Sequence, residues 1–116
     1  MFPAKYAKSD IAPSQTDSSL VSAKESTIFR VVGGFLVCAA TATTIVFNSK
    51  PIGSGTSISS TIFCGANGGL IMPSVAQVDS GEPPFGYFQT NKGEGLSATT
   101  GSGSSVGVSL VYVEIK

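Results

Sequence analysis

The sequence predicts an all-β domain: an antiparallel β-sandwich or jelly roll of about seven or eight strands, with an extended N-terminal arm. Three observations carry this expectation. Gly, Ser, Thr and Val are abundant while charged residues are few, a mixture that suits pleated strands joined by tight turns. Short apolar runs recur between turn signals spaced roughly eight to twelve residues apart. Nowhere do apolar residues repeat at i, i+3, i+4 and i+7 between capping residues, so no helix is expected.

At 116 residues the chain makes one domain with a core of ordinary size. Residues 1–14 contain Pro3, Pro13, Lys5, Lys8 and Asp10 without sustained alternation. They read as an arm outside the core, either flexible or ordered on a neighbouring subunit. Residues 15–116 are the expected sandwich. "TDSSLVSA" reads as a partly polar edge strand. "STIFRVVGGFLVCAA" reads as a long strand, with Phe29, Val31, Phe35 and Val37 on one side and Ile28, Val32 and Leu36 on the other. The pair Gly33-Gly34 inside it signals a bulge or bend.

"TTIVFNS" places Ile45 and Phe47 opposite Thr44 and Val46, and "GSGTSISSTIFCG" sets Ile58, Ser60, Ile62 and Cys64 on one face. Asn67-Gly68 favours a type I′ turn before the strand "LIMP". Pro83-Pro84 marks a loop or a crossing between sheets, and "GYFQT" a short aromatic strand. "GLSATTG" and "SSVGVSLVYVEIK" then form an expected hairpin around Gly101-Ser102-Gly103.

Composition excludes several kinds of chemistry. There is no histidine, which removes Ser-His-Asp and Cys-His activation, His-containing zinc sites and pH switching near neutrality. Acidic and basic residues balance at seven each without clustering, so no basic stripe exists to follow a nucleic-acid backbone. Cys38 and Cys64 are too few for an all-cysteine zinc site and too far apart for a CxxC motif. They read as buried free thiols, with a disulfide as the alternative. The start "MFPAKYAKSD" lacks the apolar centre of a signal peptide. The uncharged run between Arg30 and Lys50 approaches the length of a membrane span, but its glycines, threonines and β-branched residues read as two strands.

Candidate chemistry is sparse. Asp79 with Glu82, Glu94 and Glu114 read as solvated loop and edge charges, with a calcium site at Asp79 and Glu82 unsupported by any known spacing. Ser102, Ser104 and Ser105 have no base beside them. No catalytic residue, metal ligand or cofactor is expected, and the chain is read as a non-enzyme. Phe85, Tyr87 and Phe88, clustered beside a loop, are weak candidates for stacking on sugars or bases.

The closing strand is the strongest residue-level lead. One face carries Val106, Val108, Leu110 and Tyr112; the other carries Val111, Val113 and Ile115. A sandwich strand ordinarily has one dry face and one wet one. Something must cover the second: a phase-changing bulge, the arm, or another subunit. Each buried Val or Ile contributes roughly 1.5–3 kcal/mol, so Val111, Val113, Ile115 and Tyr112, with Phe2 and Tyr6 of the arm, are the expected contact residues of a homo-oligomer.

The run "FGYFQTNKGEGLSATTGSGSSVGVSLVYVEI" resembles the C-terminal half of small β-sandwich head decoration (cement) proteins of tailed bacteriophages. The likeness rests on Pro84, Gly86, Tyr87 and Phe88, on Gly93, Glu94 and Leu96, and on Tyr112, Val113 and Glu114. "NGGLIMP" also fits, and the resemblance covers residues 26–116. This chain departs from the pattern at Tyr87, where Trp is common, and in its two cysteines. The resemblance implies a jelly-roll-like sandwich made in the host cytoplasm and assembled as trimers on the virion head surface, its terminal segments clamping the major capsid protein. From the even charge balance and the reading of the Arg30–Lys50 run as strands, no nucleic-acid or membrane partner is expected. The alternative reading is a receptor- or glycan-binding module of a tail fibre or spike.

Overall fold

The strand signals resolve into ten strands in the computed structural model, which describes residues 2–74 and 82–116. They are β1 (Lys5–Ile11), β2 (Ser18–Val21), β3 (Ile28–Cys38), β4 (Thr43–Lys50), β5 (Thr56–Ser57), β6 (Ile62–Cys64), β7 (Gly69–Met72), β8 (Phe88–Gln89), β9 (Gly95–Thr100) and β10 (Val106–Ile115). The described residues contain no helix. The first sheet runs β1-β10-β3-β7 with β8 also on β3, and the second runs β2-β9-β4-β5 with β6 also on β4. Every pairing is antiparallel. The count exceeds the expected seven or eight because β1 is a strand and the run from Thr56 to Cys64 breaks in two, with Ser60 exposed.

The core lies between the sheets. Leu36, Val108 and Leu110 of the first face Ile45, Phe47 and Leu96 of the second. Phe88 joins from the short β8 by stacking on Phe47 at 4.8 Å, which fixes an aromatic edge to the cluster.

Four expectations are corrected. Residues 1–14 are not an arm outside the core: all seven residues of β1 pair with β10, Lys5 opposite Tyr112 through Ile11 opposite Val106. The lack of an apolar pattern conceals this, because β1 is held by backbone pairing and one buried anchor, Ile11.

The faces of β3 are not those of a simple alternation. The β3–β10 register shifts between Val111, opposite Gly33, and Tyr112, opposite Val31, leaving Val32 as the extra residue of a bulge. Before it Phe29 and Val31 point inward; after it Leu36 and Cys38 do, and Phe35 and Val37 turn outward. Gly34 permits the close approach: its φ is 131°, and a Cβ there would lie 2.2 Å from the Ser109 carbonyl oxygen.

The last two strands do not form a hairpin, since β9 belongs to the second sheet and β10 to the first. The Ser-Gly tract crosses from one sheet to the other. It runs beside the β3–β4 connection, which crosses the opposite way, and the two are tied together. Gly101 N–H donates to the Thr44 carbonyl (2.9 Å), Ala39 N–H to the Ser105 carbonyl (3.1 Å) and Thr43 Oγ1 to the Ser102 carbonyl (2.9 Å). Small residues allow the two backbones to lie that close.

The turn before β7 closes from Gly68 N–H onto the Gly65 carbonyl (2.9 Å), and Asn67 has φ 56°. Its centre is therefore Ala66-Asn67, with only the second residue left-handed, and it is not the type I′ turn expected at Asn67-Gly68.

Candidate interaction surface

The two outer faces differ in chemistry. On the first sheet the register aligns side chains in rows: Tyr6 beside Val111, then Lys8, Ser109, Phe35 and Ile71, then Asp10, Gly107 and Val37. Tyr6 is 78% exposed, Ile71 77%, Phe35 49% and Val37 48%. Because β10 offers only Gly107 and Ser109 between larger neighbours, a shallow groove forms, walled by Tyr6, Lys8 and Phe35. Apolar area exposed this way on one contiguous sheet face marks a contact site more often than a solvated surface.

Part of the outer face of the second sheet is tied together by hydrogen bonds around Asp17, while Phe63 of β6 stands 83% exposed on the same sheet. The Asp17 carboxylate accepts from Asn48 Nδ2 (3.0 Å), Ser97 Oγ (3.3 Å) and Gly55 N–H (3.0 Å). Asn48 Nδ2 also donates to Thr99 Oγ1 (2.9 Å), which accepts the Asp17 N–H at 3.1 Å. The network pins β2, β4, β9 and the start of β5 together. It leaves no buried side-chain N or O without a partner among the described residues.

The expected contact residues separate under this geometry. Val113 is buried, and Tyr112 is buried edge-on against Phe29, ring centroids 5.6 Å apart. The extra residue of the bulge lies in β3, so β10 keeps its alternation; of its second apolar face Val113 is buried within the chain, while Val111 and Ile115 are only partly covered. Val111, Ile115 and Phe2 are half-buried, and Tyr6 stands in solvent. Tyr6 and Val111 therefore belong to the outer groove, whereas Tyr112 and Val113 do not. Phe35, Val37 and Ile71 were not among the expected contact residues. The signal for Phe35 and Val37 was Gly33-Gly34, because a bulge there inverts the parity of every later residue in β3; Ile71 lies in β7 and had no such signal.

Phe85 is exposed, Tyr87 is exposed with its hydroxyl donating to the Pro73 carbonyl (2.6 Å), and Phe88 is committed to the core. The three do not form one platform. Asp79 lies outside the described residues, and Glu82 is exposed. Glu94 accepts from Ser49 Oγ at 2.7 Å, bracing β4 against the turn before β9. Glu114 pairs with Lys24 (2.9 Å) and Lys5 (3.6 Å). The hydrogen bond from Lys24 holds its carboxyl below the ordinary value, against a smaller opposing effect of burial. Burial pushes the Tyr112 phenol up, and the Glu114 charge adds to the effect.

Ser104 donates to the Thr41 carbonyl, an arrangement that ties the crossing in place. No group of three or more His, Cys, Asp or Glu side chains that could hold a metal occurs among the described residues. No helix there is long and apolar enough to cross a membrane. Compared with models of known protein families, with curated proteins and with solved structures, the chain matches none.

Proposed function

We propose that this chain is a virion structural protein, a capsid decoration or cement subunit of jelly-roll-like form that acts by binding and without catalysis. The observation that supports the reading is the contiguous row of exposed apolar side chains on the outer face of the first sheet, Tyr6, Phe35, Val37 and Ile71, against a second sheet tied by the polar network around Asp17 and exposing Phe63 alone in its strand β6. The resemblance over residues 26–116 supplies the class of assembly: a homotrimer seated on the major capsid protein of the head surface.

Under this reading the groove between Tyr6 and Phe35 receives a second copy of the chain. Lys8 and Asp10 lie side by side on its rim, and the net charge is zero. A second copy can therefore neutralise each charge with its opposite, while a strongly charged partner finds no complementary field. Repetition of one such contact around a closed ring multiplies a modest interface.

Size-exclusion chromatography with light scattering tests this directly. The wild type is expected at three times the chain mass and on expanded capsids after co-sedimentation. The double variant Phe35→Ser/Ile71→Ser is expected as a folded monomer that loses about 1–2 kcal/mol, chiefly from the covered half of Phe35, since Ile71 is largely in water. A monodisperse wild-type monomer that leaves expanded capsids bare would overturn the proposal.

The second reading, a glycan-binding module of a tail fibre or spike, rests on Phe85, exposed next to Tyr87. Glycan-array binding lost in Phe85→Ala and retained in Phe35→Ser/Ile71→Ser would favour it over assembly.

A further inference from the structure

Cys38 ends β3 in the first sheet, and Cys64 ends β6 in the second. Both are free thiols, both are buried, and both belong to the same core cluster. One carbonyl brings them together. Gly68 O accepts the Cys38 N–H at 2.8 Å and the Cys64 thiol at 3.4 Å. The neighbouring rung, from Asn67 N–H to the Ala39 carbonyl (2.8 Å), keeps this corner in register. The Cys38 thiol is oriented by the Thr41 carbonyl (3.0 Å) and shares a contact with Ser104 Oγ (3.4 Å).

The Cys38 thiol also acts on Cys64. Burial, and then the Cys38 thiol beside it, push the Cys64 thiol up. Cys64 is not sealed in, since it lines a surface hollow with Phe63, Gly65, Gly101 and Ser102 at this end of the molecule.

We propose that Cys38 and Cys64 are a latent cross-link between the two sheets, closed by a small-molecule disulfide and opened by a small-molecule thiol. The Cys64 thiolate attacks one sulfur of oxidised glutathione, forming a mixed disulfide and expelling one glutathione thiolate. The Cys38 thiolate then attacks the Cys64 sulfur and releases the second. Two protein thiols lose two protons and two electrons in all, and one oxidised glutathione becomes two reduced ones. The raised Cys64 thiol makes the first step faster as pH rises, because the thiolate is the nucleophile. The cross-link forms equally in a monomer and in an assembled subunit.

The closed loop, of roughly 25 residues, restricts the unfolded chain and joins two sheets that otherwise meet only through packing and the crossings. Oxidation is expected to raise Tm by about 10 °C. The test uses the full chain equilibrated with oxidised or reduced glutathione, unfolded, labelled with N-ethylmaleimide and weighed. The reduced protein is expected to take two labels. The oxidised protein is expected to take none, to remain monomeric in mass, and to yield on digestion one peptide pair joined through Cys38 and Cys64. Cys38→Ala and Cys64→Ala should each abolish the oxidant-dependent rise in Tm.

Two labels after oxidation, glutathione adducts without the joined pair, or a Tm rise that persists in either variant would each overturn the proposal. The labelling result on the wild type stands even if a variant fails to fold.

Discussion

The two sheets are stabilised by opposite means. The second is secured from outside, where Asp17 gathers donors from Asn48, Ser97 and Gly55. On the first, Arg30 donates to Gln89 Oε1 (2.8 Å) and to the Pro84 carbonyl (3.0 Å), away from the row of Tyr6, Phe35 and Ile71. That sheet is secured by close backbone approach at Gly34 and by the bulge that turns Leu36 inward. Polar groups already satisfied within the chain gain little from a partner, whereas a row holding Tyr6, Phe35 and Ile71 in water gains by being covered. The second sheet exposes Phe63 of β6 but no comparable row.

The largest expected effect comes from breaking the first sheet at its closest approach. Gly34→Ala puts a Cβ 2.2 Å from the Ser109 carbonyl oxygen, at a φ of 131° that side chains rarely adopt. Neither obstacle is a flexible side chain that can move aside. The loss should be on the order of 3 kcal/mol or more, read as a fall in urea midpoint or as insoluble protein. A variant as stable as the wild type would show that the β3–β10 register tolerates a shift at the bulge.

Next in size is the corresponding break in the second sheet. Asp17→Ala removes the acceptor of three donors, and Asn48, itself buried, keeps only Thr99. The expected loss is about 2 kcal/mol, since donors are stranded without water to replace the carboxylate. Asp17→Asn should lose less, because asparagine tolerates the φ of 50° found there and retains an acceptor oxygen. Equal losses in the two variants would mean that charge, and not acceptor geometry, holds this face.

Much of the fold was legible in the sequence because it depended on period-two patterning. Ile45 and Phe47 alternate strictly, and both are buried; the all-β class followed from many such segments. Where tertiary pairing decides, local pattern was a poor guide. The residues of β1 contain one buried anchor, and nothing in "KYAKSDI" reveals that the last strand will pair with it. The Ser-Gly tract reads as a hairpin because strands flank it, yet the two strands lie in different sheets and the tract crosses between them. Of the contact surface, Tyr6 and Val111 were legible as apolar residues without an obvious core position. Phe35 and Val37 were not, because one extra residue at Val32 reverses which side of β3 faces water.

The smallest expected effect lies where β1 and the segment after β2 meet the end of β10. Glu114 reaches Lys24 and Lys5 there, and both lysines are about half exposed, so solvent screening leaves the pairs worth little. Glu114→Gln should cost about 0.5 kcal/mol at neutral pH. The pH dependence is more informative than the size. The Glu114 carboxyl is held below its ordinary value in the folded chain, so its contribution is complete above about pH 4.3 and is lost as pH falls through the lower folded value. Tyr112 has the opposite sign: its phenol is pushed up, so its contribution is complete below about pH 10 and is lost as pH rises further. In Glu114→Gln the acid limb of the stability profile should flatten. The alkaline limb should shrink only slightly if at all, because burial and not the Glu114 charge is the larger cause of the Tyr112 shift. An alkaline limb that instead collapses onto the ordinary phenol value would assign the Tyr112 shift to charge. The edge-on packing of Tyr112 against Phe29 would then shield it less than its burial indicates.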